Sequence, residues 1–149
     1  RPTPPQPITA TVDPGSTVTS AVERLGFAPE QVVPEFGWED DVDDPFRFAV
    51  EGVCGAEIED DEYTGVADAV LLWFRSEDGD LGDALVDMVG VLDDGGFVVL
   101  LTPRGEDGEV DPSDIDEAAV VTGLHLAGTF NAAEGWRAHK LVAPRGGRR

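Results

Sequence analysis

The sequence is poor in cysteine and histidine, and each shortage excludes a class of site. The single cysteine, Cys54, rules out an internal disulfide and a cysteine-based zinc site. Because it lies among apolar residues of a predicted helix, we expect a buried side chain rather than a reactive thiol. His125 and His139 lie in or beside predicted strands, which favours structural roles. The motifs of serine hydrolases, phosphate-binding loops and zinc proteases are missing, so no catalytic residue is assigned.

Positive charge is also scarce. Ten Lys and Arg residues stand against 31 Asp and Glu, giving a formal charge of -21. Nucleic acid is therefore not expected as a partner, because proteins bind it mainly through cations that neutralise phosphates. A protein with a basic surface or a cation fits better, and so does acidity that serves only solubility or a salt-adapted host. The oligomeric state is left open.

Long apolar runs are missing as well. No segment approaches the ~20 residues needed to span a bilayer, and no signal-peptide pattern is visible, so we expect no membrane contact and a cytoplasmic location. The length and 41% hydrophobic content suffice for one folded domain. The chain divides into a proline-rich leader (1–16), a single domain (17–144) and a basic, glycine-rich tail (145–149).

Helical and strand patterns alternate through the central region. Ser20 begins a short helix, Asp44 caps a second one, and two more follow Asp80 and Asp111. The predicted strands are residues 31–36, 56–58, 66–74, 97–101, 124–130 and 139–142, and residues 93–96 are predicted to form a turn. This order predicts an α/β domain with a mostly parallel central sheet.

The most unusual segment follows the first predicted strand. Gly37 opens a loop in which five of the six residues from 39 to 44 are carboxylates, and Trp38 precedes them. Open α/β sheets bind ligands at this end of their strands. The loop could meet a basic partner or hold a divalent cation; the plain alternative is a solvated loop with Trp38 in the core. The partner-binding residues proposed here are Trp38, Glu39, Asp40, Asp41, Asp43, Asp44 and Trp73. Trp73 and Phe74 could form an aromatic floor beneath the acids, and the alternative, which is slightly favoured, is ordinary core packing.

Several motifs, in the same order, resemble the Rossmann-like fold of S-adenosylmethionine-dependent methyltransferases. Residues 25–37 are similar to the approach to that family's first motif, residues 67–72 to its fourth strand, and residues 92–101 to the helix, Gly-Gly turn and strand that follow. The resemblance implies a three-layer domain with an antiparallel carboxy-terminal edge. It also implies that Glu35, Gly37, Glu59 and Asp68 would bind a cofactor, if one is bound.

The chain departs from that family at two points. Glu39 and Asp41 replace the second and third glycines of the nucleotide-binding turn, and their charge would repel an anionic ligand. The segment between Ile58 and Val66 is too short for a parallel crossover, which takes about a dozen residues or more, so the family's third strand is expected to be missing. We therefore expect a reduced methyltransferase-like topology.

The whole chain also resembles an uncharacterised family of small acidic actinobacterial proteins. Its marks are Glu-Arg-Leu-Gly-Phe at 23–27, Gly-Trp-Glu-Asp-Asp-Val-Asp at 37–43, Asp-Ala-Val-Leu-Leu-Trp-Phe-Arg at 68–75 and Leu-Leu-Thr-Pro at 100–103. We predict a non-catalytic acidic protein-binding or regulatory module without a cofactor. The alternatives are a nucleotide- or S-adenosylmethionine-binding enzyme whose acidic loop is neutralised by a cation, and a nucleic-acid mimic.

Overall fold

The structure, a computed structural model, describes residues 22–60, 62–63, 65–104, 110–133 and 135–143. The leader, the basic tail and the predicted helix start at Ser20 lie outside these ranges. A helical turn at 22–25 is followed by five strands and three longer helices. The strands are β1 (Glu35–Phe36), β2 (Ala67–Trp73), β3 (Leu92–Pro103), β4 (His125–Ala133) and β5 (Trp136–Val142). The helices are α1 (Asp44–Cys54), α2 (Leu81–Val89) and α3 (Pro112–Thr122), with a 3-10 turn at Ser76–Asp78.

The strands form one sheet in the order β1-β2-β3-β5-β4. β1, β2 and β3 are parallel, whereas β5 runs antiparallel to both β3 and β4. The prediction of a mostly parallel α/β sheet with an antiparallel carboxy-terminal edge is confirmed. The carboxyl ends of β1 and β2 therefore lie side by side, with the acidic loop following β1.

Local chemistry sets the ends of the helices. The Asp43 carboxylate accepts a hydrogen bond from the backbone N–H of Phe46 at 2.9 Å, so α1 is capped one residue before the predicted Asp44. α1 ends at Gly55, whose φ of 76° suits glycine. Asp111 caps α3 as predicted, and its pKa is lowered by the backbone hydrogen bond from Ser113.

β1 is shorter than predicted because of Pro34. The Pro34 carbonyl accepts a hydrogen bond from the N–H of Leu71 at 3.0 Å, but proline has no N–H to donate in return. Regular pairing with β2 therefore begins only at Glu35. The predicted strand at 56–58 is also absent from the described sheet, where an isolated parallel bridge joins Pro34 to Glu59 instead. Among the residues described between β1 and β2, α1 and this bridge are the regular elements, in agreement with a reduced topology.

The predicted turn at residues 93–96 is wrong, because these residues lie within β3. Ala67 of β2 pairs with Leu92, whereas Ala69 pairs with Phe97, so extra residues of β3 form a bulge. Gly95 has a φ of 75°, and a Cβ on Gly96 would lie 2.9 Å from the carbonyl oxygen of Asp68. The glycines thus permit a bulge and close contact between strands, which the sequence alone does not distinguish from a turn.

The sheet has an apolar layer on each face. The cluster on the α1 face contains Phe46 and Val50 of α1 together with Leu71, Trp73 and Leu101 of the sheet. The cluster on the opposite face lies under α2 and α3; its members include Leu72, Leu81, Leu85, Leu100, Ile115 and Leu141. β2 is buried on both faces, as its continuous apolar sequence predicts.

Candidate functional site

The candidate site lies at the carboxyl ends of β1 and β2, under the loop of residues 37–44. Gly37 allows the loop to cross the end of β2. Its φ is 81°, and a Cβ at this position would overlap the carbonyl oxygen of Trp73. Because glycine has no side chain, the backbone of the loop can approach β2 closely at this position. The first glycine of the sequence motif therefore serves a contact between protein segments.

The acid at the end of β1 is bound by neighbouring side chains. The buried carboxylate of Glu35 accepts hydrogen bonds from Arg47 Nε at 2.7 Å, Arg47 Nη2 at 3.0 Å and Trp73 Nε1 at 2.8 Å. The pKa of Arg47 is raised, chiefly by its hydrogen bond with Glu35. A two-pronged guanidinium contact and an indole donor occupy both carboxylate oxygens, which limits their capacity for an external donor.

A second arginine secures the acidic loop from below. Arg75 is only 5% exposed. It donates to the Asp41 carboxylate at 2.6 and 3.0 Å, to Asp78 at 3.1 Å and to the carbonyl oxygens of Gly37 and Trp73 at 3.1 and 3.3 Å. The hydrogen bond from Arg75 also lowers the pKa of Asp41. This arginine therefore joins the loop, the end of β2 and the following 3-10 turn.

Two buried tryptophans complete the support. The rings of Trp73 and Trp136 pack edge to face with centroids 4.8 Å apart, and Trp136 Nε1 donates to the carbonyl oxygen of Asp41 at 3.1 Å. The guanidinium of Arg75 lies 5.2 Å from the centre of the Trp136 ring. Trp73 is fully buried, so its predicted place in a surface aromatic floor is corrected: it binds Glu35 within the core.

The remaining predicted loop residues differ in what they can offer a partner. Asp43 caps α1, and Asp44 accepts a hydrogen bond from Arg47 at 3.1 Å. Glu39 lies 3.6 Å from Arg75 and is exposed, as is Asp40. Trp38 is 52% exposed rather than anchored in the core. The outer surface of the loop therefore consists of an indole and carboxylates held on a fixed backbone.

The four predicted cofactor residues do not converge on one point. Glu35 and Gly37 line an open cleft of about 430 Å³ together with Trp38, Arg47 and Asp60. Glu59 is adjacent through backbone pairing, since its carbonyl accepts from the N–H of Glu35 at 2.9 Å. Asp68 lies instead near the amino end of β2, where its carboxylate accepts from the N–H of Val32 at 2.8 Å. Asp68 thus fastens the entry to β1.

The isolated histidine and cysteine occupy structural positions. His139 is buried in β5; its Nε2 is 3.0 Å from Thr102 Oγ1 and its Nδ1 is 3.1 Å from Thr129 Oγ1. Burial lowers its pKa to about 4, with a smaller contribution from Arg137. Cys54 is buried, and this desolvation raises the pKa of its thiol.

The part of the chain that the structure describes contains neither a metal-binding cluster nor a membrane-spanning helix. Within those ranges, no three or more His, Cys, Asp and Glu side chains are grouped so that they could hold a metal ion. None of the helices there combines the length and apolar character required to cross a membrane.

Three residues of the site were not singled out by sequence reasoning: Arg47, Arg75 and Trp136. Their bonds to Glu35 and Asp41 join positions 12, 34 and 95 residues apart, separations that local patterns do not reveal. One signal was available. Basic residues number only ten against 31 acids, and Arg75 directly follows a strand predicted to be buried, so a structural ion pair would have been a reasonable expectation.

Solved structures with similar folds include S-adenosylmethionine-dependent methyltransferases. The CcbJ methyltransferase of Streptomyces caelestis superposes with a TM-score of 0.60 at 13% identity, covering 93% of each chain. Magnesium protoporphyrin IX methyltransferase from Synechocystis PCC 6803, solved with bound S-adenosylmethionine, gives 0.54 at 14% identity and covers 87% of this chain and 79% of its own. At these identities the similarity establishes a methyltransferase-like Rossmann fold.

Sequence comparison finds much closer relatives. An uncharacterized protein of Mycobacterium tuberculosis, Rv2239c, is 41% identical over 138 residues, covering 88% of this chain and 87% of the relative. An uncharacterized protein of Mycobacterium bovis, Mb2263c, matches to the same extent. The family model described as "Protein of unknown function (DUF3052)" matches residues 22–145. The chain therefore belongs to the DUF3052 family, a family of unknown function with a methyltransferase-like fold.

Proposed function

We propose that this protein is a non-catalytic, cytoplasmic docking module that binds a partner with a basic surface through the outer side of the 37–44 loop. The observation that carries the proposal is the internal use of the cleft's polar groups. Glu35 is occupied by Arg47 and Trp73, and the loop backbone is held by Arg75. These bonds fix the loop rather than leaving its inner side available to a cofactor.

The exposed side of the loop has the chemistry of a docking surface. Trp38 is half exposed beside the exposed carboxylates of Glu39 and Asp40. Aromatic side chains supply much of the contact energy at protein interfaces, and surrounding charges set orientation and association rate. Because the loop is already ordered by ion pairs, a partner would not have to meet the full entropic cost of fixing it.

The structure determines which substitutions test this proposal cleanly. Asp41 should be left intact, since its loss would disrupt the ion pair with Arg75. We would combine Trp38→Ala with Asp40→Asn, and use Phe48→Ala, an exposed aromatic on α1, as the matched control. All variants are expected to melt like the wild type.

Partner capture should then be measured with immobilised protein and reconstituted from purified components. We expect the partner to bind the wild type and Phe48→Ala but to lose at least about tenfold in affinity for the loop variant. Binding should also shift Trp38 emission, which is separable because Trp73 and Trp136 are buried. Equal affinity for the loop variant would overturn the proposal. Fractionation of cells checks the location.

A second candidate is supported by the cleft of about 430 Å³ beside Glu35, whose volume lies in the range of small-molecule sites. Under this alternative, the cleft would bind S-adenosylmethionine or a nucleotide, with Trp38 and the exposed Glu59 nearby. Thermal melting with S-adenosylmethionine or S-adenosylhomocysteine, with and without Mg²⁺, separates the two candidates. Ligand at about 100 times its Kd would stabilise the fold by about 2.7 kcal/mol. A shift abolished by Trp38→Ala would favour the enzyme; no shift would favour the docking module.

A further inference from the structure

A separate groove lies between α2 and α3, on the opposite face of the sheet from α1. It has a volume of about 460 Å³. Its floor is apolar and comes from the end of β2, both helices and the residue that precedes α3's cap; it consists of Phe74, Leu81, Val110 and Ala118. No part of this lining belongs to the 37–44 loop. The groove is therefore distinct from the docking surface proposed above.

The apolar surface continues outside the groove. Val86 and Val121 line it and are 52% and 73% exposed, and Val120 beside them is 80% exposed. Val121 also lines an adjoining cavity of about 390 Å³, together with Asp116, Glu117 and Val120. Together Val86, Val120 and Val121 form an exposed apolar stripe that extends from the groove onto the outer side of α3. This shape suits an extended apolar ligand such as one face of a helix.

The rim of the groove carries charge of one sign. Its charged members are all carboxylates: Asp80, Asp83, Asp111, Asp114 and Glu117. Residues 76–103 and 110–124 contain no Lys, Arg or His, so neither helix offers these acids a cation. Asp80 and Asp111 cap the two helices with one oxygen each, and the other rim carboxylates are exposed. The rim thus selects against acidic ligands, including a second copy of this chain with its charge of -21.

We propose that the groove between α2 and α3 binds a basic amphipathic helix of a partner protein. The apolar face of that helix would cover Val86, Val120 and Val121 and insert a large side chain above Phe74. Its Lys or Arg residues would flank the stripe and meet the carboxylates of the rim. Both halves of the recognition are needed, because charge alone would attract any cation and the valines alone would attract any apolar surface.

The test uses a defined peptide of roughly 18 residues, built from Leu and Lys with Leu at positions i, i+3, i+4 and i+7 along a helix. A scrambled peptide of the same composition retains the charge but has no apolar face. Fluorescence anisotropy should show the amphipathic peptide binding at least about tenfold more tightly than the scrambled one. Moderate salt should weaken the binding of both peptides but preserve the difference in affinity between them. Equal binding of the two peptides would reduce the interaction to general charge attraction and overturn the proposal.

Variants locate the peptide on the surface. Val86→Ser combined with Val121→Ser should lower affinity by about tenfold, because two apolar contacts are lost from the stripe. Val66→Ser is the matched control, since Val66 is 63% exposed but lies outside the groove. Trp38→Ala should also leave peptide affinity unchanged, so that failure here and failure of the loop proposal can be distinguished. Unchanged affinity in the double variant, or a dimer in sedimentation that this variant dissociates, would overturn the assignment.

Discussion

Two regions of the molecule contain clustered carboxylates and use them in opposite ways. At the paired edge, comprising Glu35, Asp41, Arg47 and Arg75, acids are matched with guanidinium groups at 2.6–3.0 Å. On the helix-pair face, comprising α2 and α3, the two helices carry acids but no base. The first set of carboxylates is bound within the fold, whereas members of the second cap helices or lie exposed on the surface.

Net charge conceals this difference. The formal charge of -21 is that of the whole chain and does not distinguish the two regions, whereas the positions of the basic residues do. A buried guanidinium costs desolvation energy and is stable only where carboxylates and carbonyls surround it. The paired edge supplies that environment, and the acidic loop is consequently part of the folded framework rather than an appendage.

The largest expected effect comes from breaking the paired edge at Arg75. Arg75→Ala would leave the carbonyl oxygens of Gly37 and Trp73 without their guanidinium donor and would remove the contact to Asp41. Since Asp41 is half exposed and can be hydrated, we expect the free energy of unfolding to fall by about 3 kcal/mol. This is toward the lower end of the cost of breaking a buried ion pair. Denaturant unfolding measures it.

Two further substitutions make the Arg75 experiment specific. Arg104→Ala removes an exposed arginine and should change stability by less than about 0.5 kcal/mol. Arg75→Lys retains the charge but not the planar fork that contacts both Asp41 oxygens, so it should recover only part of the loss. If Arg75→Ala and Arg104→Ala have the same stability, the paired edge does not support the fold.

A second comparison uses the pH dependence of stability and concerns His139, a buried histidine on the α2–α3 side of the sheet. His139 shares a strand face with Leu141, which packs in the α2–α3 cluster, and it contacts threonine hydroxyls rather than a carboxylate. Its pKa in the folded state, about 4, lies below the ordinary 6.5. The unfolded chain therefore binds the proton more readily, so this contribution to stability is complete above pH 6.5 and is lost as the pH falls toward 4.

The corresponding measurement is unfolding free energy between pH 6 and 4.5. At about 1.4 kcal/mol per pH unit, the wild type should lose about 2 kcal/mol more than His139→Gln over this range. The difference between proteins matters, since protonation of carboxylates affects both. His125→Gln, at an exposed position, should follow the wild type. Parallel curves for His139→Gln and wild type would show that His139 does not control this pH dependence.

Much of the fold, but little of the site's bonding, could be predicted from local sequence. Caps such as Asp111 and stops such as Gly55 and Gly123 act within one helical turn, so their residue types predict helix ends closely. Continuous apolar composition likewise predicts β2. The bulge at residues 93–96 was missed because Asp-Asp-Gly-Gly is typical of turns, and only pairing with β2 extends the strand through it.

The site eluded prediction for a different physical reason. Glu35 and Gly37 were identified because they adjoin the end of a strand, a local feature. Their role in the structure depends on side chains from α1 and β2, while Trp136 comes from β5, the last strand in the sequence. The local sequence pattern resembled a cofactor-binding turn. It gave no indication that Arg47 and Trp73 donate hydrogen bonds to Glu35 or that Trp73 is buried.

The smallest expected effect tests whether the acids of the helix-pair face are truly unmatched. Asp83 and Asp87 are four residues apart in α2, so their charges repel on one helical face. Asp87→Lys would replace this repulsion with an attraction and place a cation in the last turn, where the helix dipole favours it. We expect stabilisation of about 0.5 kcal/mol at low salt.

Asp44→Lys is the opposite case, because it loses the contact with Arg47 and puts a cation in the first turn of α1; it should destabilise by a similar amount. Both effects should shrink at about 1 M NaCl, where the screening length is about 3 Å. Destabilisation by both substitutions would mean that the acids of α2 are as fully matched as those of the paired edge, and the contrast between the two regions would be lost.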